Sequence, residues 1–140
     1  ISGSIEGVAE ASEMLTSLGA RKVVQLPVGG AFHSPLMQPA KERLQAAIED
    51  AFLRPPQCPI YQNFDAKASV DPDEIRQKLI AQLTGPVRWT QTIQNMAKDG
   101  YSDYEEAGGK GRILAGLMRK IDRELTVAQM EAPLDGGNLV

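Results

Sequence analysis

The chain has 140 residues, of which 42% are hydrophobic and 24% charged. These are ordinary globular values for about one domain of the usual ~100–200 residues, and they exclude a disordered or collagen-like chain. Fifteen Lys and Arg against 18 Asp and Glu leave a net charge of −3, which argues against a nucleic-acid-binding module with its basic excess. No apolar run approaches the ~20 residues needed to cross a bilayer. Cys58 is the only cysteine, so no internal disulfide can form and a reducing, cytoplasmic setting is expected. The chain opens Ile1-Ser2-Gly3 without a Met or a signal-peptide pattern, which points to processing or to a start inside something longer.

Helix and strand signals alternate along the chain. Ser4 is placed to cap a helix carrying Ile5, Val8, Ala9, Leu15 and Leu18, with Gly19 as its stop. Lys22–Leu26 reads as a short β-branched strand ended by Pro27. A glycine turn then leads into His33-Ser34, and a second helix places Leu36, Ala40, Leu44, Ala47, Ile48 and Ala51 on one stripe. Ser34 suits its N-cap and Pro35 its first position, whereas Pro39 must fall in the first turn or kink the helix. Residues 60–63 read as a strand. Asp71-Pro72-Asp73-Glu74 is a strong helix start, and that helix is expected to bury Ile75, Leu79, Ile80 and Leu83 before stopping at Gly85-Pro86.

Trp89 begins a further helix with Ile93, Met96 and Ala97 inward, closed by Gly100. Residues 101–105 suit a strand, Gly108-Gly109-Lys110-Gly111 a tight loop, and Ile113, Leu114, Leu117 and Ile121 the apolar face of a last helix. From Thr126 the tail reads as loosely ordered. Strands separated by helices predict parallel pairing in an α/β layered fold. Only three or four short strands are visible, and none is the long apolar run of a buried central strand. The periphery of an α/β domain is legible here and its middle is not.

His33 is the sole histidine, set between a strand and a helix. A neutral imidazole is the side chain best suited to take a proton near neutral pH. By spacing alone, however, a single histidine is more often a core or partly exposed residue with one hydrogen bond. A metal site is not expected, because one His and one Cys leave no zinc spacing. No G-x-S-x-G nucleophile elbow occurs in the 140 residues. The turn Gly108–Arg112 could hold an anion at a helix start, but a tight turn with solvated charges is the plainer reading. Arg119, Lys120 and Arg123 complement a helix C-terminus, and a solvated basic face is their default. Asn63 ends a strand and Gln82 sits among apolar helix positions, so each amide needs a partner.

The ordered motifs carry a resemblance. Leu26-Pro27-Val28-Gly29-Gly30-Ala31-Phe32-His33-Ser34-Pro35-Leu36-Met37 resembles the catalytic-histidine segment of malonyl-CoA:acyl carrier protein transacylases. Pro59–Ala66 resembles that family's PV-x-x-N-x-DA strand, Leu79–Trp89 its L-x-x-QL-x-x-PV-x-W helix and turn, and Tyr104–Gly108 its F-x-E-x-GPGK segment. Gly-Gly-Lys-Gly-Arg stands where Gly-Pro-Gly-Lys is usual, with about one extra residue.

The resemblance implies the C-terminal part of an α/β-hydrolase-like acyltransferase domain. Residues 28–125 would belong to the large subdomain, 1–27 to a remnant of a ferredoxin-like small one, and 126–140 to the tail. It implies ping-pong transfer of malonyl from coenzyme A to the phosphopantetheine thiol of acyl carrier protein, with no cofactor. His33 would be the general base and Gln82 the position that orients it through a backbone carbonyl. Phe32 and Asn63 would lie near substrate, with Phe32 matching the form associated with malonyl. Lys110, Arg112, Arg119 and Lys120 are candidate contacts for an acidic carrier protein. The family's serine elbow, malonyl-binding arginine and oxyanion-hole segment fall before the equivalent of Ile1, so the expected partner is the missing N-terminal half. The isolated chain is expected to be inactive. Two other readings stay open, a non-catalytic carrier-protein or coenzyme A binding module and a truncated fragment without function.

Overall fold

The computed structural model describes residues 1–107 and 112–130. The chain divides into two compact units, residues 1–88 and 89–140. No helix among the described residues is long and apolar enough to cross a membrane.

The first unit opens with α1, Ile5–Ser17. The Ser4 Oγ accepts the Gly7 N–H at 3.1 Å, satisfying an amide the helix itself cannot reach. Gly19 turns the chain away at φ +90°, where a side chain would be strained. Residues 22–28 form no strand, contrary to the sequence expectation. A β-branched run becomes a strand only against a partner ladder, and none of the described strands pairs with it.

A short 3₁₀ turn, Pro35–Met37, leads into α2, Gln38–Asp50. Ser34 occupies the cap position of that turn, but its hydroxyl donates back to the Ala31 carbonyl at 2.6 Å instead of accepting a helix amide. Pro39 falls in the first turn of α2, where its missing N–H breaks no helical bond. No side chain of α2 is fully buried, and of the predicted apolar stripe only Ile48 is even half-buried, Leu36, Ala40, Leu44, Ala47 and Ala51 being exposed. Its last carbonyls are met from outside, with the Arg76 guanidinium donating to Ile48 and Ala51.

Two short strands, β1 (Ile60–Tyr61) and β2 (Ala68–Ser69), pair antiparallel, Ile60 opposite Ser69. The sequence predicts only parallel pairing. A connection of six residues, 62–67, is long enough for a hairpin and too short for a crossover. α3, Pro72–Gln82, starts where the acidic cap predicts, the Asp71 carboxylate accepting from Asp73 N–H at 2.8 Å. Its buried positions are Ile75 and Lys78. Leu79, expected inside, is exposed, and Ile80 and Leu83 are only half-buried. Ala66 and Ile75 form the apolar core of this unit.

The second unit holds α4 (Trp89–Lys98), β3 (Asp103–Glu106), α5 (Ile113–Ile121) and β4 (Thr126–Gln129). β3 and β4 pair in parallel, Asp103 opposite Thr126 and Glu106 opposite Gln129. The tail therefore begins with an ordered strand where loose order is expected. Residues 131–140 and the glycine loop, Lys110 included, lie outside the described residues. Ile93, Ala115 and Met118 are the buried apolar residues of this unit. The predicted face of α5 is thus displaced, since Ile113 is 66% exposed. Its first turn is instead held by Glu106, whose buried carboxylate accepts the N–H groups of Leu114 at 3.0 Å and Ala115 at 3.1 Å. A carboxylate there satisfies free amides and faces the positive end of the helix dipole.

Candidate active site

His33 lies just before the 3₁₀ turn, at φ +64°. A non-glycine residue at that angle is strained and persists only when its surroundings fix it. Two consecutive carbonyls at the C-terminal end of α3 do so. The backbone N–H of His33 donates to Leu83 O at 3.0 Å. Its ring Nδ1 lies 3.0 Å from Gln82 O. A carbonyl can only accept, so this contact requires the proton on Nδ1 and leaves a lone pair on Nε2. The residue is exposed, which keeps Nε2 open to an incoming group. The geometry thus presents an unprotonated ring nitrogen with its opposite nitrogen already bonded.

The Gln82 amide makes its own bonds, donating to Gly85 O and Pro86 O at 3.2 Å each. Its Nε2 lies 3.5 Å from His33 Nδ1, a longer approach than that of the carbonyl. Phe32 is exposed with its ring over Gly30, where an added Cβ would sit 3.3 Å from the ring. Asn63 is half-buried, and its carbonyl accepts the Arg88 N–H at 2.8 Å. The Arg88 Nε donates to the next carbonyl, Phe64 O, at 3.1 Å. His33 and Gln82 are therefore brought into direct contact. Arg112, Arg119 and Lys120 belong to the other compact unit, and all three are exposed. Arg112 stands at the head of α5 with φ +37°.

Two groups were missed by the sequence reading. One is Glu106. The other is Lys78, whose buried ammonium lies 3.0 Å from Asp65 Oδ2 and 2.7 Å from Glu74 Oε1. Burial pushes the Asp65 carboxyl up, but hydrogen bonds from Lys78 and the Lys67 amide, with both lysine charges, hold it below its ordinary value. The bonds from Lys78 and Ser69 lower Glu74 in the same way. Burial pulls Lys78 down, and its bonds to Glu74 and Asp65 outweigh that and raise it. The Glu74–Lys78 spacing of four residues was a legible helix ion pair; its link to Asp65 was not, because that contact depends on the hairpin. Asp65 sits in the loop that carries Asn63, so the cluster braces that loop against α3.

These features define a mixed helix-and-strand part with a carbonyl-held histidine, and the comparisons with known proteins give it a family. The malonyl CoA-acyl carrier protein transacylase of Bacillus subtilis is 35% identical over 133 residues, covering 95% of this chain and 42% of the relative. The acyl-carrier-protein S-malonyltransferase structure from Burkholderia pseudomallei superposes with a TM-score of 0.87 at 34% identity, covering 94% of this chain and 42% of that one. A malonyl-transacylase solved in complex with a type II PKS acyl-carrier protein gives 0.84 at 32% identity, with 94% and 42% covered. No family model matches the chain. By sequence and by fold, the chain matches the C-terminal portion of malonyl CoA-acyl carrier protein transacylases. It spans 42% of the length of the Bacillus relative, about two fifths.

Proposed function

We propose that this chain carries the general-base half of a malonyl-CoA:acyl carrier protein transacylase. The observation that supports it best is the 3.0 Å contact from His33 Nδ1 to the Gln82 carbonyl. In this reading residues 1–27 are the remnant of a ferredoxin-like small subdomain, and 28–125 belong to a hydrolase-like large one. The nucleophilic serine comes from outside these 140 residues, which contain no G-x-S-x-G.

His33 Nε2 takes the serine proton as the hydroxyl attacks the malonyl thioester carbon. The tetrahedral intermediate collapses, the C–S bond breaks, and the imidazolium returns its proton to the coenzyme A thiolate. In the second half, Nε2 takes the proton of the phosphopantetheine thiol. That sulfur attacks the malonyl-serine ester, and the proton goes back to the serine oxygen. The Gln82 carbonyl keeps the Nδ1–H bonded throughout, and the negative end of α3 stabilises the transient imidazolium. Arg112, Arg119 and Lys120, with Lys110, offer cations to an acidic carrier protein. In this reading Phe32 and Asn63 lie near the acyl group.

The test is a chimera in which these residues replace the matched region of the Bacillus subtilis relative. Malonyl transfer should be retained in it, and His33→Ala should lower the rate by about 10²–10⁴-fold. The 140-residue chain alone should show no turnover. Near-normal transfer by the His33→Ala chimera, or robust turnover by the chain alone, would overturn the reading.

A further inference from the structure

The turn after α3 is fixed by groups that take no part in moving a proton. The Gln82 carboxamide folds back over this turn, and its two N–H hydrogens meet two carbonyls, those of Gly85 and Pro86. The Gly85 N–H in turn donates to Ala81 O at 3.0 Å and to Gln82 O at 3.3 Å. On the other side Gly85 is pressed against the Phe64 ring, where an added Cβ would lie 2.8 Å from a ring carbon. Arg88 closes the turn onto Asn63 and Phe64. The amide's one approach to His33, 3.5 Å from Nδ1, is longer than the 3.0 Å contact of the carbonyl. Both its N–H groups are spent on the turn, and an NH₂ cannot serve a nitrogen that itself carries a proton.

We infer that the Gln82 side chain is a positioning group for His33: by bracing residues 82–86 it aims the carbonyls of Gln82 and Leu83 at the imidazole, and so selects the Nδ1–H tautomer. Its role in transfer rests on the general-base reading of His33; its effect on the ring does not.

His33 is the only histidine, so the chain labelled with ¹⁵N-histidine gives one imidazole whose two-bond couplings report the tautomer directly. The wild-type chain should show mainly Nδ1–H. Gln82→Met keeps the length and helix propensity, loses both donors, and should give a mixture with Nε2–H. Gln82→Asn keeps the amide but is one methylene short of the two carbonyls, and should do the same. Arg76→Ala releases the far end of α2; it should lower Tm and leave the tautomer unchanged. In the chimera, Gln82→Met should lower kcat by about 10²-fold with KM little changed, the signature of a misplaced reacting group.

An unchanged tautomer in Gln82→Met overturns the inference, as does an equal change in Arg76→Ala, which would mean that the tautomer reports folding in general. If Gln82→Met fails to fold, the Gln82→Asn spectrum decides. A tautomer change without any loss of transfer supports the positioning role and overturns the general-base reading, so the two fail separately.

Discussion

Two seven-residue stretches of the first unit have similar compositions and opposite fates. Residues 22–28 read Lys-Val-Val-Gln-Leu-Pro-Val, and residues 82–88 read Gln-Leu-Thr-Gly-Pro-Val-Arg. Each holds apolar side chains, one proline and one glutamine. The first leaves Val24, Leu26 and Val28 at 58%, 68% and 62% exposure. The second is bonded at Gln82, Gly85, Pro86 and Arg88, and it holds His33 in an unfavourable backbone angle. The difference teaches that fixation comes from matched donors and acceptors. Apolar character fixes a stretch of chain only where another element covers it.

Three substitutions put this contrast under strain. Gly85→Ala should have the largest effect, because the new methyl group meets the Phe64 ring and the Ala81 carbonyl. Overpacking of this kind costs about 1–3 kcal/mol, read from urea unfolding. If the variant is as stable as the parent, the 82–88 turn is not tightly held.

Lys78→Met comes next. It removes a buried cation between two carboxylates that keep partial access to water, at a cost of about 1–2 kcal/mol near neutral pH. The sign with pH follows from the shifts. Asp65 and Glu74 are held below their ordinary values of 3.8 and 4.5, so their contribution is full above those values and is lost as pH falls through the lowered ones. Lys78 is held above 10.5, so its contribution is full below that value and is lost as pH rises past the raised one. Thermal melts across pH should therefore converge for parent and variant at both extremes and separate most between them. A separation that does not vary with pH would remove the electrostatic account.

Val24→Thr should be the mildest change, within about 0.5 kcal/mol, since the side chain already faces water. A loss of more than that would show that residues 22–28 are covered in solution.

The sequence resolves what is local and loses what is distant. Ser4, Asp71 and Gly19 mark helix ends because a cap is decided within three or four residues. Pro39 is placed correctly for the same reason. The failures all need a partner from elsewhere. Lys22–Leu26 has the composition of a strand and no ladder. Leu79 has the spacing of a core residue, yet the buried positions of α3 are Ile75 and Lys78. The β4 strand, read as tail, exists only through its register with β3, more than twenty residues earlier. At the site, His33 and Gln82 stand out by type and by motif. Their contact spans 49 residues, and no periodicity could have disclosed that a backbone carbonyl is the bonding group.

The Glu106 carboxylate has a consequence for the order in which the second unit assembles. It ends one strand and bonds amides eight and nine residues further on. The loop it closes is short, and closing it carries a small entropic penalty. Helix nucleation is the slow part of making an isolated helix, and a carboxylate that organises the first turn removes part of that barrier. The start of α5 is therefore expected to form together with the end of β3. β4, whose pairing closes a longer loop, is expected to join after them.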